Sequence, residues 1–309
     1  METYSSPLYS SEYPCVVALG CFDGVHAGHS RLINEAKRIA NESNAITAVW
    51  SFNEPPKNYF KPNSVPILTS HNEKSFVMEQ LGVDVMVSVP FDKYISSLSA
   101  EDFFNDILIS KMKASHIVCG FNYRFGKNAE GDADMLQRLC DEFGVTLTVV
   151  PPETDKGEVV CSTLIKKLIA DGDIRRANDL LCGEFGVKEV IRHGRHLGHT
   201  LGAPTINQPL TKGLVVPRFG VYASRVTLED GKVYCGVTNV GIKPTVGGKT
   251  PLWETWMPQY KGGEIYGQTA DVRLLDFIRE ERKFENLDEL KAEILKNGEK
   301  ALEIYSIRN

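Results

Sequence analysis

The chain has 309 residues, of which 42% are hydrophobic and 24% charged, and its formal net charge is −5. This composition predicts a folded globular protein with one large domain or two ordinary ones. The absence of a basic tail argues against nucleic acid as a general partner.

The amino terminus is polar and has no basic segment followed by an apolar one, so we expect no signal peptide. No apolar run reaches the ~18 residues that a membrane-spanning helix needs, and no membrane partner is expected. The seven cysteines are odd in number and form no C-x-x-C pair. Free thiols, and therefore a cytoplasmic location, are favoured.

Short apolar runs alternate with helical patterns through the first half of the chain. Strands are predicted at 15–20, 45–52, 83–89, 115–120 and 145–150, and helices at 26–43, 72–81, 100–112, 132–143, 162–172 and 173–181. This alternation predicts an α/β domain, Rossmann-like, with a five-stranded parallel sheet and crossover helices.

The pattern changes near Gly183, where short β-rich runs begin to follow one another without helices. Asp230-Gly231 lies between two of these runs and is a strong hairpin signal. A small antiparallel β-barrel is predicted here, closed by one helix over the last ~20 residues. We place the domain boundary near residue 184, which gives domains 1–184 and 185–309.

The segment GCFDGVHAGH, residues 20–29, lies where the first strand should lead into the first helix. Helix amino termini favour anions, and Gly24 and Gly28 would let the backbone approach a phosphate closely. His26 and His29 would lie one turn apart and could donate to the same phosphate chain. A glycine-rich turn with capping or solvated histidines is the alternative.

This segment resembles the G-x-F-D-G-x-H-x-G-H signature of the prokaryotic bifunctional riboflavin kinase/FAD synthetase family, whose first domain is an HxGH nucleotidyltransferase. The resemblance implies adenylyl transfer from ATP to FMN. His26 and His29 would hold phosphates and stabilise the charge that develops on pyrophosphate, without a covalent intermediate. The other implied ATP or phosphate contacts in this segment are Gly20, Phe22, Asp23 and Gly24.

Two more segments of the first half are similar to motifs of the same family. GFNYRFGKNAEGD at 120–132 implies flavin binding by Asn122 and Arg124, to which the family pattern adds Phe52. Taken alone, this segment also fits ordinary packing followed by a turn. The family usually has a histidine where this chain has Pro55.

VCSTLIKKLI at 160–169 is similar to the family's I-S-S-T-x-I-R segment. The resemblance implies that Ser162, Thr163 and Lys166 bind phosphate at a helix start. The alternative is a Ser/Thr cap with a solvated lysine. Lysine stands where the family has arginine, which keeps the charge and loses the bidentate fork.

The second half resembles the riboflavin kinase domain of the family, beginning with RHGRHLGHTLGAPTIN at 192–207. The resemblance implies a Mg²⁺ and ATP site in which Thr205 and Asn207 supply oxygen ligands, the type that Mg²⁺ prefers. Gly202 and Pro204 complete that segment. His199 replaces an arginine of the family pattern.

Later segments of the second half continue the resemblance, namely 216–223, 236–248, 252–257 and 277–284. Glu254 is implied to be the general base that takes a proton from the ribityl 5′-hydroxyl as its oxygen attacks the γ-phosphorus of ATP. Arg279 is implied to contact the flavin or its new phosphate. Trp256 replaces the histidine that the family has after Glu254.

The expected function is therefore phosphorylation of riboflavin to FMN and adenylation of FMN to FAD, with ATP as co-substrate and Mg²⁺ as cofactor. Two alternatives stay open: one activity is lost, the kinase more readily, or the chain is a non-catalytic flavin-binding regulator. A homo-oligomer is also left open. Two decoys are set aside, a P-loop at 247–250 and a zinc site at His193, His196 and His199.

Overall fold

The computed structural model describes residues 1–193, 203–242 and 251–308. The chain divides into two compact units, Met1–Ser162 and Thr163–Asn309. This division falls earlier than the boundary placed near residue 184, because the helices α7 (Ser162–Asp171) and α8 (Ile174–Leu180) lie almost entirely in the second unit. Which residues belong to each activity stays a prediction.

The first unit contains a six-stranded parallel sheet. Its strands are β1 (Glu2–Tyr4), β2 (Cys15–Leu19), β3 (Ile46–Phe52), β4 (Val85–Val89), β5 (Ala114–Gly120) and β6 (Thr146–Val150), in the order β1-β4-β3-β2-β5-β6. The predicted α/β fold is confirmed, with one strand more than the five predicted. The extra strand is β1, which pairs with β4 from Glu2↔Val85 onward.

Helices cover both faces of this sheet. They are α1 (Ala27–Ser43), α2 (Lys57–Phe60), α3 (His71–Gln80), α4 (Lys93–Ser97), α5 (Ala100–Asp102) and α6 (Ala133–Phe143), with a π-helix over Phe103–Lys111, a 3₁₀ turn over Lys127–Ala129 and a small hairpin of β7 (Thr154–Asp155) and β8 (Glu158–Val159). One apolar layer centres on Trp50, Phe103 and Phe104. The other includes Phe22 and Met78.

The chain changes direction across the sheet between β2 and β5, which are neighbours. After β2 it builds β3 and β4 on one side, and it then crosses to build β5 and β6 on the other. In open parallel sheets, ligands bind at the carboxyl ends of strands on either side of such a reversal. The segments after β2, β3 and β5 therefore meet at the edge where a ligand is expected.

The second unit is a six-stranded antiparallel sheet. Its strands are β9 (Gly186–Val190), β10 (Thr205–Pro209), β11 (Gly220–Leu228), β12 (Val233–Ile242), β13 (Pro251–Trp256) and β14 (Thr269–Arg279), in the order β10-β13-β12-β11-β14-β9. An isolated bridge between Arg192 and Asn207 joins the two edges of the sheet, so it is nearly a closed barrel. The barrel prediction is confirmed.

The predicted hairpin at Asp230-Gly231 joins β11 to β12, where Thr227 pairs with Val233. The predicted closing helix is α9 (Leu287–Arg308), whose Ala301 and Ile304 pack with the outer face of the strands. Gly202, His196, His199 and the 247–250 segment lie outside the described residues. Within the described ranges, no helix is both long and apolar enough to cross a bilayer.

Candidate active sites

The loop that follows β2 has an unusual backbone. Phe22, Gly24 and Val25 have φ angles of 51°, 86° and 39°. This left-handed region is disfavoured for L side chains, above all for a β-branched one such as valine. Because two of the three residues are not glycine, the surrounding contacts have to stabilise the conformation.

Three hydrogen bonds fix Asp23 and Gly24 of this loop. The Asp23 carboxylate accepts from the Leu68 amide at 2.7 Å, and the Gly24 amide donates to the Thr69 hydroxyl at 3.3 Å. The Ser162 hydroxyl donates to the Asp23 carbonyl at 2.9 Å. The Phe22 side chain is fully buried, so any contact from Phe22 to a nucleotide would come from its backbone.

His26 and His29 stand together at the start of α1. His26 is the N-cap, and its Nδ1 accepts from the His29 amide at 3.4 Å. The two rings stack with centroids 3.6 Å apart and planes 19° apart. A Cβ at position 28 would lie 3.3 Å from the His26 ring, so Gly28 leaves room for that ring. The predicted pairing of the two imidazoles on one helical turn is observed.

Both imidazoles are neutral near pH 7. Burial lowers the pKa of His26 to about 4, although Asp23 opposes the shift. Burial also holds the pKa of His29 well below its usual value, and His26 and Lys74 add to the effect. Since Nδ1 of His26 accepts a hydrogen bond, its proton is assigned to Nε2, which is a donor. Nδ1 of His29 is buried and has no hydrogen-bond partner in the described structure.

Lys74, on α3, is a residue that the sequence analysis missed. Its side chain is 4% exposed, and its ammonium donates to the Phe52 carbonyl at 2.5 Å and to the Cys21 carbonyl and the Ser51 hydroxyl, each at 3.3 Å. Burial lowers the pKa of Lys74 to about 8, against the opposing effects of Cys21 and Asp23. The available signal was its spacing of four residues from Met78, which puts both on the buried face of α3.

The predicted flavin-binding residues lie at the end of β3 and after β5, on either side of β2. Asn122 and Arg124 line a cavity of about 390 Å³ together with Phe121, Tyr123, Asp132, Ala133 and Asp134. Arg124 forms an ion pair with Asp132 at 3.4 Å. Phe52, at the end of β3, packs edge-on against Trp50 with ring centroids 5.1 Å apart. Their roles stay predictions.

Helix α7 begins with the predicted phosphate-binding residues. Ser162 is the last residue of the first unit and is tied to the loop after β2 through the Asp23 carbonyl. Thr163 and Lys166 follow along α7 in the second unit, and their roles also stay predictions.

In the barrel, neighbouring strands bring the predicted kinase residues together. Glu254 on β13 pairs with Asn207 on β10 and with Asn239 on β12, so the three side chains share one face of the sheet. Thr205 lies two residues before Asn207 and faces the same way. Asn207 is 3% exposed, and its Oδ1 has no hydrogen-bond partner in the described structure. Pro204, by contrast, is exposed.

Arg279, at the end of β14, is held against α9. Its Nε lies 2.8 Å from Glu293 and also donates to Asn297 at 3.3 Å, and its Nη1 donates to the Glu280 carbonyl at 2.8 Å. Burial lowers the pKa of Arg279, with Glu293 opposing the shift. A contact from Arg279 to flavin would add to these bonds and stays a prediction.

Of the three histidines considered as a zinc site, only His193 lies within the described residues. His193 stacks on Tyr266 with centroids 3.9 Å apart. No group of three or more His, Cys, Asp or Glu side chains that could hold a metal occurs in the part of the chain that the structure describes.

A parallel sheet with paired imidazoles at a helix start, followed by an antiparallel barrel with oxygen-bearing side chains on one face, is the arrangement expected of a two-domain transferase that uses nucleotides. The FAD synthetase family model matches residues 9–164, and the riboflavin kinase family model matches residues 181–305. The chain belongs to the family of bifunctional riboflavin kinase/FMN adenylyltransferases, and it contains both domains of that family.

Several relatives match over almost their whole length. The bifunctional riboflavin kinase/FMN adenylyltransferase of Escherichia coli (strain K12) is 33% identical over 95% of this chain and 93% of its own. That of Bacillus subtilis (strain 168) is 34% identical over 94% and 92%. The crystal structure of a macrolide-efflux protein from Streptococcus pneumoniae has a TM-score of 0.89 and 30% identity, covering 97% of this chain and 98% of that one.

Proposed function

We propose that this chain carries out both reactions of its family in the cytoplasm. The first unit transfers the adenylyl group of ATP to FMN, and the second transfers the γ-phosphoryl group of ATP to riboflavin. The observation that carries the first assignment is the stacked pair of neutral imidazoles at the start of α1. The second assignment rests on the side chains that lie together on one face of the barrel, those of Glu254, Asn207 and Thr205.

In adenylyl transfer, a phosphate oxygen of FMN attacks the α-phosphorus of ATP and pyrophosphate leaves. No proton has to move between the protein and the reacting atoms, so catalysis depends on position and electrostatics. The Nε2–H of His26 and the ring of His29 donate to the phosphates, and the amino terminus of α1 adds its dipole. The loop after β2 fixes where these donors point.

In phosphoryl transfer, the 5′-hydroxyl oxygen of riboflavin attacks the γ-phosphorus of ATP and ADP leaves. Glu254 accepts the hydroxyl proton. Its neighbours in the sheet, Asn207 and Asn239, supply amide groups beside the carboxylate. Arg279, at the end of β14, contributes a positive charge and would contact the flavin or its phosphate.

Magnesium suits the barrel site. The buried Oδ1 of Asn207 has no hydrogen-bond partner in the described structure, and the Thr205 hydroxyl faces the same side. Oxygen donors of this kind fit a hard cation that keeps part of its water shell. Thr205 and Asn207 would therefore hold Mg²⁺, which neutralises the phosphate charge of ATP when bound.

The test is to incubate the full chain with riboflavin, ATP and Mg²⁺ and to separate the flavins by chromatography. We expect FMN and FAD to form. H26A should lower the rate of FAD formation from FMN by about 100-fold or more, as expected when a transition-state donor is removed, whereas riboflavin phosphorylation should persist. H116A, at a histidine bonded to Thr148 on β6, is the matched control.

E254Q should have the converse effect, abolishing FMN formation while FAD still forms from supplied FMN. E264Q, at an exposed glutamate outside the strands, is its control. If neither product forms, a non-catalytic flavin-binding protein is the better description. If FAD forms from FMN and no FMN forms from riboflavin, only the first activity is retained. Equal loss of both reactions in either variant would contradict two separate sites.

A further inference from the structure

Lys74 carries a buried charge that the two reaction schemes do not use. No carboxylate lies within ion-pair distance of its ammonium in the described part of the chain, and a carbonyl, a hydroxyl and a second carbonyl surround it instead. An ammonium has three N–H donors, so these three acceptors use all of them. Lys74 therefore has no donor left for a hydrogen bond to a substrate, and its hydrogen bonds act only on the groups it holds.

Those groups belong to the carboxyl ends of two neighbouring strands. The Cys21 carbonyl comes directly before the left-handed loop after β2, whereas Ser51 and Phe52 end β3. The Ser51 hydroxyl also donates to the Cys21 carbonyl at 3.1 Å. The ammonium and this hydroxyl thus cross-link β3 to the first residues of the loop that leads to His26.

The segment just before Lys74 holds the rest of the same loop. The Leu68 amide bonds the Asp23 carboxylate, and the Thr69 hydroxyl accepts from the Gly24 amide. Residues 68–74 therefore contact the loop at Cys21, Asp23 and Gly24. Phe22 and Val25 have left-handed backbone angles, which are unfavourable for these residues. The loop therefore keeps its conformation only because several such contacts stabilise it.

The Lys74 charge also acts on the imidazoles. Its positive field is one of the causes that keep His29 neutral. A polyphosphate bound over the two rings would also be attracted by this positive charge, because charges interact strongly in a buried site. The other titratable groups that interact with Lys74 are Cys21, Asp23 and His71.

We propose that Lys74 is a positioning residue for adenylyl transfer, whose buried ammonium ties the carboxyl ends of β2 and β3 together and sets the loop that aims His26 and His29 at the phosphates. The inference rests on the adenylyl-transfer function proposed above. Lys74 acts through the Cys21 and Phe52 carbonyls and does not touch substrate.

The experiment measures FAD formation from FMN and ATP by the full chain, after wild type has been shown to form FAD. Absence of FAD from wild type would refute the adenylyl-transfer function itself. K74M should lower kcat by about 100-fold, the scale expected for a displacement of about 1 Å at a reacting centre, with the KM for FMN changed by less than about twofold. K74Q keeps amide donors for part of the acceptor set and should recover about tenfold of that loss.

K37M is the matched control, because Lys37 likewise donates to a backbone carbonyl, that of Leu81, at 3.2 Å. It should leave kcat and KM within about twofold of wild type. The proposal is overturned if K74M retains kcat within that range. It is equally overturned if the KM for FMN rises as much as kcat falls, or if K74Q is no better than K74M.

If K74M fails to fold, S51A decides the matter. Ser51 is fully buried and supplies one of the three acceptors, so S51A should lower kcat by about threefold to tenfold without changing the KM for FMN. S88A removes an equally buried hydroxyl from β4, one that donates to Asn53 at 2.9 Å. Equal kcat values for S51A and S88A would refute the role of Lys74.

Discussion

His26 is both a helix cap and a buried titratable group, and the substitution H26N separates these two properties. The asparagine Oδ1 can take the place of Nδ1 and accept from the His29 amide, since asparagine is among the best N-cap residues. It does not titrate. The variant should therefore keep the start of α1 and lose the dependence of stability on pH that comes from position 26.

The size of this dependence follows from the two pKa values. The pKa of His26 is about 4 in the folded protein, against an ordinary value of 6.5. As the pH falls below about 6.5, the unfolded chain takes up a proton that the folded ring does not bind until about pH 4. The free energy of unfolding therefore falls across this window, by about 2 kcal/mol between about pH 7 and about pH 5.

The assay is urea denaturation of wild type and H26N at these two pH values. Titrating groups away from position 26 are present in both proteins, so their contributions cancel in the comparison. For His29, which contacts His26, burial is the largest cause of the low pKa, and this cause is present in both proteins. We expect wild type to lose about 2 kcal/mol more than H26N on acidification. Equal losses would refute the reasoning, because they would show that the ring of His26 is charged or solvated in the folded state.

Two further substitutions test the local structure. G24A places a side chain at φ 86°, so it should lower the free energy of unfolding by about 1–2 kcal/mol and the Tm of the first unit by several degrees. The control is G183A, where a Cβ would meet nothing within 4 Å, and it should leave Tm unchanged. Equal effects of the two substitutions would count against strain at position 24. The Asp132 carboxylate caps α6 by accepting from the Met135 amide at 2.9 Å. D132A should lower the free energy of unfolding, measured by urea denaturation, by about 1 kcal/mol, whereas D132N should retain most of the stability that the cap provides. An unchanged D132A would mean that the cap adds nothing.

The sequence predicted the imidazole pair because that feature is local. His29 comes three residues after His26, and a helix that starts between them makes the two side chains neighbours. The order of apolar runs and helical patterns likewise predicted β2 to β6, of which β2 and β4 are buried throughout. The sequence did not predict that Gly28 leaves space for the ring of His26, whereas the approach of a phosphate to Gly28 stays a prediction.

The features that the sequence did not predict depend on distant partners. β1 is three residues long and mostly exposed, and only its pairing with β4 makes it a strand. The segment 100–112 was predicted as one helix, but it is π-helical over Phe103–Lys111, a difference that hydrophobic periodicity does not resolve. The burial of Lys74 was not predicted, because its acceptors are more than twenty residues away along the chain.

The bridge between Arg192 and Asn207 joins the two edges of the six-stranded sheet. In this bridge the Arg192 amide donates to the Asn207 carbonyl at 2.8 Å. Asn207 thus joins the two edge strands with its main chain, and its side-chain oxygen is the magnesium ligand proposed above. Binding of Mg²⁺ to that oxygen would stabilise the residue whose carbonyl accepts the hydrogen bond between the two edge strands. Local opening at this bond should then become rarer, and deuterium exchange at the Arg192 amide should slow as Mg²⁺ binds.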